Sequence, residues 1–174
     1  MQKRQGKKLL NRLSPLEGKK VLDLGGGTGR FAAQMSSAGA DVWLLDNSHQ
    51  MIKRAGRILP SDRLISGNAE NLPFSDNVFD IITLVDVFHH ICNQEETVSE
   101  CFRVLIPGGC LCILDFSPNS FFIRVLAGAE RLLGEPSKFL SPEKLAELLG
   151  KAGFINVETD IFAREYITQA RKPY

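Results

Sequence analysis

The chain has 174 residues, of which 44% are hydrophobic and 24% charged, with a formal net charge of +1. That length sets a single domain, residues 1–174, able to bury about 70% of its unfolded surface without disulfide or metal staples. The near-neutral charge gives no chain-wide footprint for nucleic acid, and the charged N-terminus lacks the apolar stretch of a signal peptide.

Residues 3–13 are expected to form a short helix stopped by Ser14-Pro15. In the first twenty residues Lys3, Arg4, Lys7, Lys8, Arg12, Lys19 and Lys20 face only Glu17, and this N-terminal segment, 1–19 in its helical part, reads as a solvated basic face. "KKVLDL" follows as a strand that is apolar on both faces, and "GRFAAQMSSAG" as a helix closing at Gly39. "DVWLLD" is a second strand, and "SHQMIKRAGRIL" a helix with Ser48 as its N-cap. "DRLISG" and "FDIITLVD" are the third and fourth strands. "QEETVSECFRVL" is a helix with acids in its first turn, where the helix dipole favours them, and "PGGCLCILDF" a turn leading into a fifth strand. Short, continuously apolar strands alternating with helices predict a parallel sheet covered by helices on both faces.

The alternation changes after Phe116. "NSFFIRVLAGAERLLG" is helical, but it carries Arg124, Glu130 and Arg131 and is too short to span a bilayer. "SPEKLAELLGKAG" is the next helix, with Ser141 as N-cap, Pro142 at the first helical position and Gly153 past its end. "FINVETDI" and "AREYITQARK" then follow so closely that the two strands must be antiparallel. The four cysteines, Cys92, Cys101, Cys110 and Cys112, have no C-x2-C spacing. They read as buried free thiols, which points to a reducing, cytoplasmic setting.

"VLDLGGGTGR" places four glycines behind the first strand. Such a turn bends sharply, admits a ligand close to the backbone and precedes the free N–H groups of a helix start. Asp23 is expected to orient the turn by accepting hydrogen bonds from its N–H groups. Gly25 and Gly27 match the dinucleotide fingerprint G-x-G-x-x-G/A, but Arg30 stands where its third small residue belongs. Asp46 ends the second strand 21 residues after Gly25, where a carboxylate can accept from both hydroxyls of a ribose. Dehydrogenases share that feature, so the turn and Asp46 leave the cofactor open.

The glycines at 25, 27 and 29 resemble the cofactor turn of class I S-adenosylmethionine-dependent methyltransferases. "SGNAENLPFSDNVFDIITLVDVFHHI" is similar to the middle of the same family, whose usual G-D-A-E-x-L-P-F has Asn68 here in place of the acid. "IPGGCLCILDF" resembles its turn and fifth strand, with Ile106 where a basic residue is common. The match runs from Val21 to Phe116 and is nearest to ubiquinone/menaquinone-type C-methyltransferases. It implies a Rossmann-like, seven-stranded, mostly parallel α/β sheet with helices on both faces and an antiparallel last strand. It also implies S-adenosylmethionine as cofactor, with Asp23 and the glycine turn (Gly25, Gly26, Gly27 and Gly29) beside its methionine part and Asp46 on the ribose. Asn47 and Met51 would lie against the adenine, Asn68, Ala69 and Glu70 would line the base, and Val85 and Asp86 would close the site near the sulfonium.

No catalytic residue is assigned. His89 and His90 follow the fourth strand and are candidates for a general base, although a capping turn explains them equally; His49 reads as a surface residue. No metal-ligand cluster and no G-x-S-x-G elbow occurs. The expected partner is a small-molecule acceptor, with no membrane span and no nucleic acid; a second chain could complete the pocket, as in a homodimer. Residues 117–140 are a candidate substrate lid, with Phe121, Phe122, Val125, Leu126, Leu132 and Leu133 as its apolar wall. The N-terminal segment lacks the family's aromatic-acidic substrate signature, which departs from a quinone-type substrate. Three alternatives stand: a cofactor-binding but inactive partner subunit, in keeping with the short N-terminus; a nicotinamide-dependent dehydrogenase, against which Arg30 and the antiparallel ending speak; and methylation of RNA or protein, in keeping with the basic N-terminal arm.

Overall fold

The structure, a computed structural model, describes residues 2–118 and 137–174, with side chains from Gly6 onward. In chain order the elements are α1 (Gln2–Leu13), β1 (Lys20–Leu24), α2 (Arg30–Ser37), β2 (Asp41–Asp46), α3 (His49–Ala55), β3 (Leu64–Ser66), β4 (Phe79–Val85), α4 (Gln94–Val104), β5 (Leu105–Phe116), α5 (Pro142–Lys151), β6 (Ile155–Ile161) and β7 (Glu165–Arg171). The lid residues Phe121 to Leu133 lie outside the described residues.

The seven strands form one sheet in the order β3-β2-β1-β4-β5-β7-β6. The first five are parallel, and β7 runs antiparallel between β5 and β6. The expected Rossmann-like α/β fold is therefore present. Because the strands are covered on both sides, alternate residues feed two separate cores. Val21, Val42, Leu44, Ile81, Cys112, Leu114 and Ile167 meet Leu9 and Leu13 of α1, Phe31, Ala32 and Met35 of α2, and Ala55 of α3. Leu22, Leu24, Leu45, Ile82, Leu84, Leu111 and Ile113 meet Val98, Cys101 and Val104 of α4 and Leu145 and Leu149 of α5.

Local signals set the helix ends. The Ser48 hydroxyl accepts the Met51 N–H, the Asn93 amide oxygen the Glu96 N–H, and the Ser141 hydroxyl the Lys144 N–H. Gly108, at φ 76°, makes the P-G-G segment an irregularity at the start of β5, where the pairing register with β4 shifts. Cys101, Cys110 and Cys112 are buried free thiols and Cys92 is an exposed one. Burial pushes the three buried thiols above the usual thiol range, which disfavours the reactive thiolate.

Helix α1 is fastened across the far strands. Arg12 donates from Nε to Gln169 Oε1 at 2.9 Å and pairs with Glu158 and Asp160 of β6. Of the basic residues read as a solvated face, Lys7 and Lys8 are exposed, with Lys8 Nζ 4.0 Å from the Phe162 ring centre, whereas Arg12 and Lys19 pair with acids.

Candidate functional site

β1 ends at Leu24, and the chain turns through residues 25–29 into α2. Gly25, Gly27 and Gly29 have φ of 69°, 56° and 77°, a region strained for any residue with a Cβ. Their surroundings differ. A Cβ on Gly25 would lie 2.5 Å from Val87 Cγ2, and one on Gly26 would lie 2.7 Å from both Asp23 Oδ2 and Leu44 Cδ1. Gly27 faces open space. Gly29 is backed by Ala55 and Leu59, at 3.3 and 3.4 Å from a Cβ built on it, so it packs the turn against α3.

Asp46 holds the turn in place. Its Oδ2 accepts the Gly27 N–H at 2.9 Å and its Oδ1 the Ser48 N–H at 2.9 Å, tying the glycines to the start of α3. The Leu45 carbonyl accepts the Gly25 N–H at 2.7 Å. The expectation that Asp23 orients the turn is corrected: the N–H groups of Gly25, Gly26, Gly27 and Gly29 go elsewhere. Asp23 lies opposite Thr83 in the β1–β4 register and accepts its hydroxyl at 2.8 Å. Burial raises the Asp23 carboxyl to about 6, against the lowering effect of hydrogen bonds from Thr83 and the Ala32 N–H, while the nearby Asp46 charge adds to the rise. Asp23 Oδ2 has no well-aligned hydrogen bond.

A cavity of about 350 Å³ opens along this edge of the sheet. Asp23, Gly25, Gly26 and Gly27 form one end, and Val85, Asp86 and Leu114 form its floor. Phe31 and Gln34 of α2 and Gly6 of α1 wall it, and Glu165 of β7 closes the other end. Of the residues expected to bind the cofactor, the cavity gathers Asp23, the first three glycines, Val85 and Asp86. It does not reach Gly29, Asp46, Asn47, Met51, Asn68, Ala69 or Glu70. Asn47 and Asn68 are exposed, and Met51, Ala69 and Glu70 half-buried. The Asn68 side chain is engaged locally: Oδ1 accepts the Glu70 N–H at 3.2 Å and Nδ2 donates to Glu70 Oε2 at 3.1 Å. Glu70 Oε1 in turn accepts the Asn93 N–H at 2.6 Å, so Glu70 braces the entry to α4.

The histidines stand apart from the cavity. His89 is buried, its Nδ1 lying 2.5 Å from Asp115 Oδ1 and its N–H donating to Asp115 Oδ2 at 3.0 Å. Its ring stacks on Phe139, with centroids 4.4 Å apart. His90 is exposed, with Nδ1 3.3 Å from Ser137 Oγ. His49 is also exposed and contacts Ser66 Oγ.

Sequence reasoning missed Gly6, Phe31, Gln34, Leu114 and Glu165. Glu165 alone left a signal, an acid at an inward position of a strand that is otherwise buried. Among the described residues, no group of three or more His, Cys, Asp or Glu is placed to hold a metal ion, and no helix is long and apolar enough to cross a membrane.

This sheet order, with a glycine turn after β1 and an acid closing β2, defines a class I methyltransferase fold. Residues 22–113 match the methyltransferase domain family, and the chain belongs to it. It is 31% identical over 175 aligned residues to the ubiquinone/menaquinone biosynthesis C-methyltransferase of Cereibacter sphaeroides, covering 84% of this chain and 70% of that protein. It is 41% identical over 100 residues to the demethylmenaquinone methyltransferase of Paenarthrobacter aurescens, covering 58% of this chain and 40% of that one. The chain thus spans about half the length of several curated relatives that it matches. Among solved structures, an S-adenosylmethionine-dependent methyltransferase of Thermotoga maritima superposes with a TM-score of 0.77 at 25% identity, covering 96% of this chain and 87% of that one. Phosphoethanolamine N-methyltransferase 2 of Haemonchus contortus, solved with S-adenosyl-L-methionine, superposes at 0.81 with 22% identity, covering 98% and 53%.

Proposed function

We propose that this chain is an S-adenosylmethionine-dependent methyltransferase that acts on a small, apolar or aromatic acceptor. The observation that carries the reading is the glycine turn, fastened by Asp46 and opening at Gly27 onto a cavity that reaches past β4. The residues fit the cofactor. The cavity is of ligand size, and Gly27 leaves open the space a side chain would fill. Each Asp46 oxygen keeps a lone pair beyond the one its backbone donor uses, enough to accept from a ribose diol.

The bound cofactor supplies a methyl carbon already activated by a positive sulfur. The chain's task is alignment, and holding two reactants in line is worth about 7–11 kcal/mol of barrier. Gly25 to Gly27 would bring backbone close to the cofactor, Asp46, which fixes the turn, would also hold the ribose, and Val85 and Asp86 would close the site near the sulfonium. Asn68, Ala69 and Glu70 would line the base, with Asn47 and Met51 against it. Leu114 and Phe31 offer apolar surface to the acceptor, in keeping with relatives named for quinone methylation.

Thermal unfolding with S-adenosylmethionine, S-adenosylhomocysteine and NAD tests this. A ligand at 100 times its dissociation constant stabilises by about 2.7 kcal/mol. A rise in Tm with both sulfur compounds and none with NAD is expected; no rise with either sulfur compound sinks the reading. Asp46→Ala is expected to lower the ligand-free Tm, because the turn loses its anchor, and to remove the ligand-induced rise.

A further inference from the structure

We propose that Glu165 is the residue that receives the methyl acceptor, taking a hydrogen bond from an O–H or N–H group on an otherwise apolar molecule and accepting its proton during transfer. This rests on the methyltransferase reading above.

The first argument is position. Strand register places Val85 beside Leu114 and Leu114 beside Ile167, and Glu165 is two residues nearer the sheet edge than Ile167 on the same face. The cavity therefore runs from the glycine turn after β1, over β4 and β5, to β7. That is three strand spacings, or about 14 Å. With the cofactor's methionine part at the glycine end and its sulfonium over Val85 and Asp86, the remaining length beyond Leu114 is where an acceptor lies.

The second argument is the state of the carboxylate. Glu165 is 4% exposed and lines the cavity, yet no hydrogen bond or ion pair reaches its carboxylate among the described residues. Asp23 and Asp86 line the same cavity, and Arg30 is its only cation among the lining residues, so the pocket carries an excess of acids. Such a site is completed by a ligand that brings a donor. Leu114 and Phe31 line the same cavity and supply its apolar surface, which sets the chemical class: an aromatic or aliphatic body with one hydroxyl or amine.

The step balances. The acceptor's nucleophilic atom forms a bond to the methyl carbon, the carbon–sulfur bond breaks with its electron pair going to sulfur, and the O–H or N–H proton passes to the Glu165 carboxylate and then to water.

The test titrates the S-adenosylhomocysteine-saturated protein with 1,4-dihydroxynaphthalene and, separately, with 2-phenylethylamine, using calorimetry. The wild type is expected to bind at least one probe, and which one tells the hydroxyl source from the amine. Glu165→Gln is expected to bind that probe at least about tenfold more weakly and to transfer methyl to it about 10²–10⁴-fold more slowly. The same variant should keep the wild-type Tm rise with S-adenosylhomocysteine, because Glu165 lies at the far end of the cavity from the glycine turn. Equal probe binding by the variant, no probe binding by the wild type, or loss of the S-adenosylhomocysteine shift in the variant alone each overturns the proposal. Absence of the S-adenosylhomocysteine shift in the wild type overturns the underlying reading instead.

Discussion

Adjacent glycines in the turn do different jobs, and substitution should separate them. Gly26→Ala puts a methyl 2.7 Å from Leu44 and Asp23, inside the core, and is expected to destabilise by about 1–3 kcal/mol. Gly27→Ala meets no protein atom, so its effect on stability is the left-handed backbone strain alone, about 1–2 kcal/mol. Its methyl would nevertheless project into the open space that the proposed cofactor site uses, and S-adenosylhomocysteine affinity should collapse; denaturant melts paired with calorimetry check both. Asp23 gives a pH signature. Its folded value of about 6 lies above the ordinary 3.8, so between those values the folded protein holds a proton that the unfolded chain has released. Stability therefore falls as pH rises through that window and stays lower above it. Asp23→Asn, which still accepts the Thr83 hydroxyl, should match the wild type near pH 4 and exceed it by about 3 kcal/mol above pH 6, as read by urea denaturation across that range.

At the scale of elements, α1 is where site and scaffold meet. Its Leu9 and Leu13 join the core under α2, its Gly6 walls the cavity, and its Arg12 reaches Gln169 on β7 and two acids on β6. The two acids are largely exposed, so the bond to Gln169 and the packing of the arginine stem carry most of the effect. Arg12→Met should destabilise by about 1 kcal/mol. Hydrogen exchange of the α1 amides should accelerate more than that of β4, and S-adenosylhomocysteine should bind more weakly because the wall at Gly6 loosens. Among the described residues element type was legible from the chain, because the parallel strands are apolar runs and most helices carry a cap such as Ser48 or Ser141 at the start. What local pattern does not carry is which partner a side chain takes. The position of Asp46 followed from spacing alone, but its grip on Gly27, and the turning of Asp23 toward Thr83, depend on how β1 lies between β2 and β4.

The whole molecule is a sheet with two cores, and only the face under α1, α2 and α3 carries the cavity. That asymmetry explains what stayed hidden. Glu165 reaches the site because β7 is inserted next to β5, and Gly6 because α1 packs against α2 across β1, contacts that no local pattern encodes. Motif spacing sees the segment from Val21 to Asp86 and is blind to these arrivals.

The insertion of β7 also sets an order of events during synthesis. β5 is complete at Phe116, but its outer neighbour is not made until residues 165–171 emerge from the ribosome. Until then a long, apolar strand exposes a row of unpaired N–H and C=O groups, the kind of edge that recruits other chains. β6, translated before β7, has no strand beside it until β7 slots between it and β5. The strand that joins β6 to the rest of the sheet is thus the one that also completes the Glu165 end of the cavity.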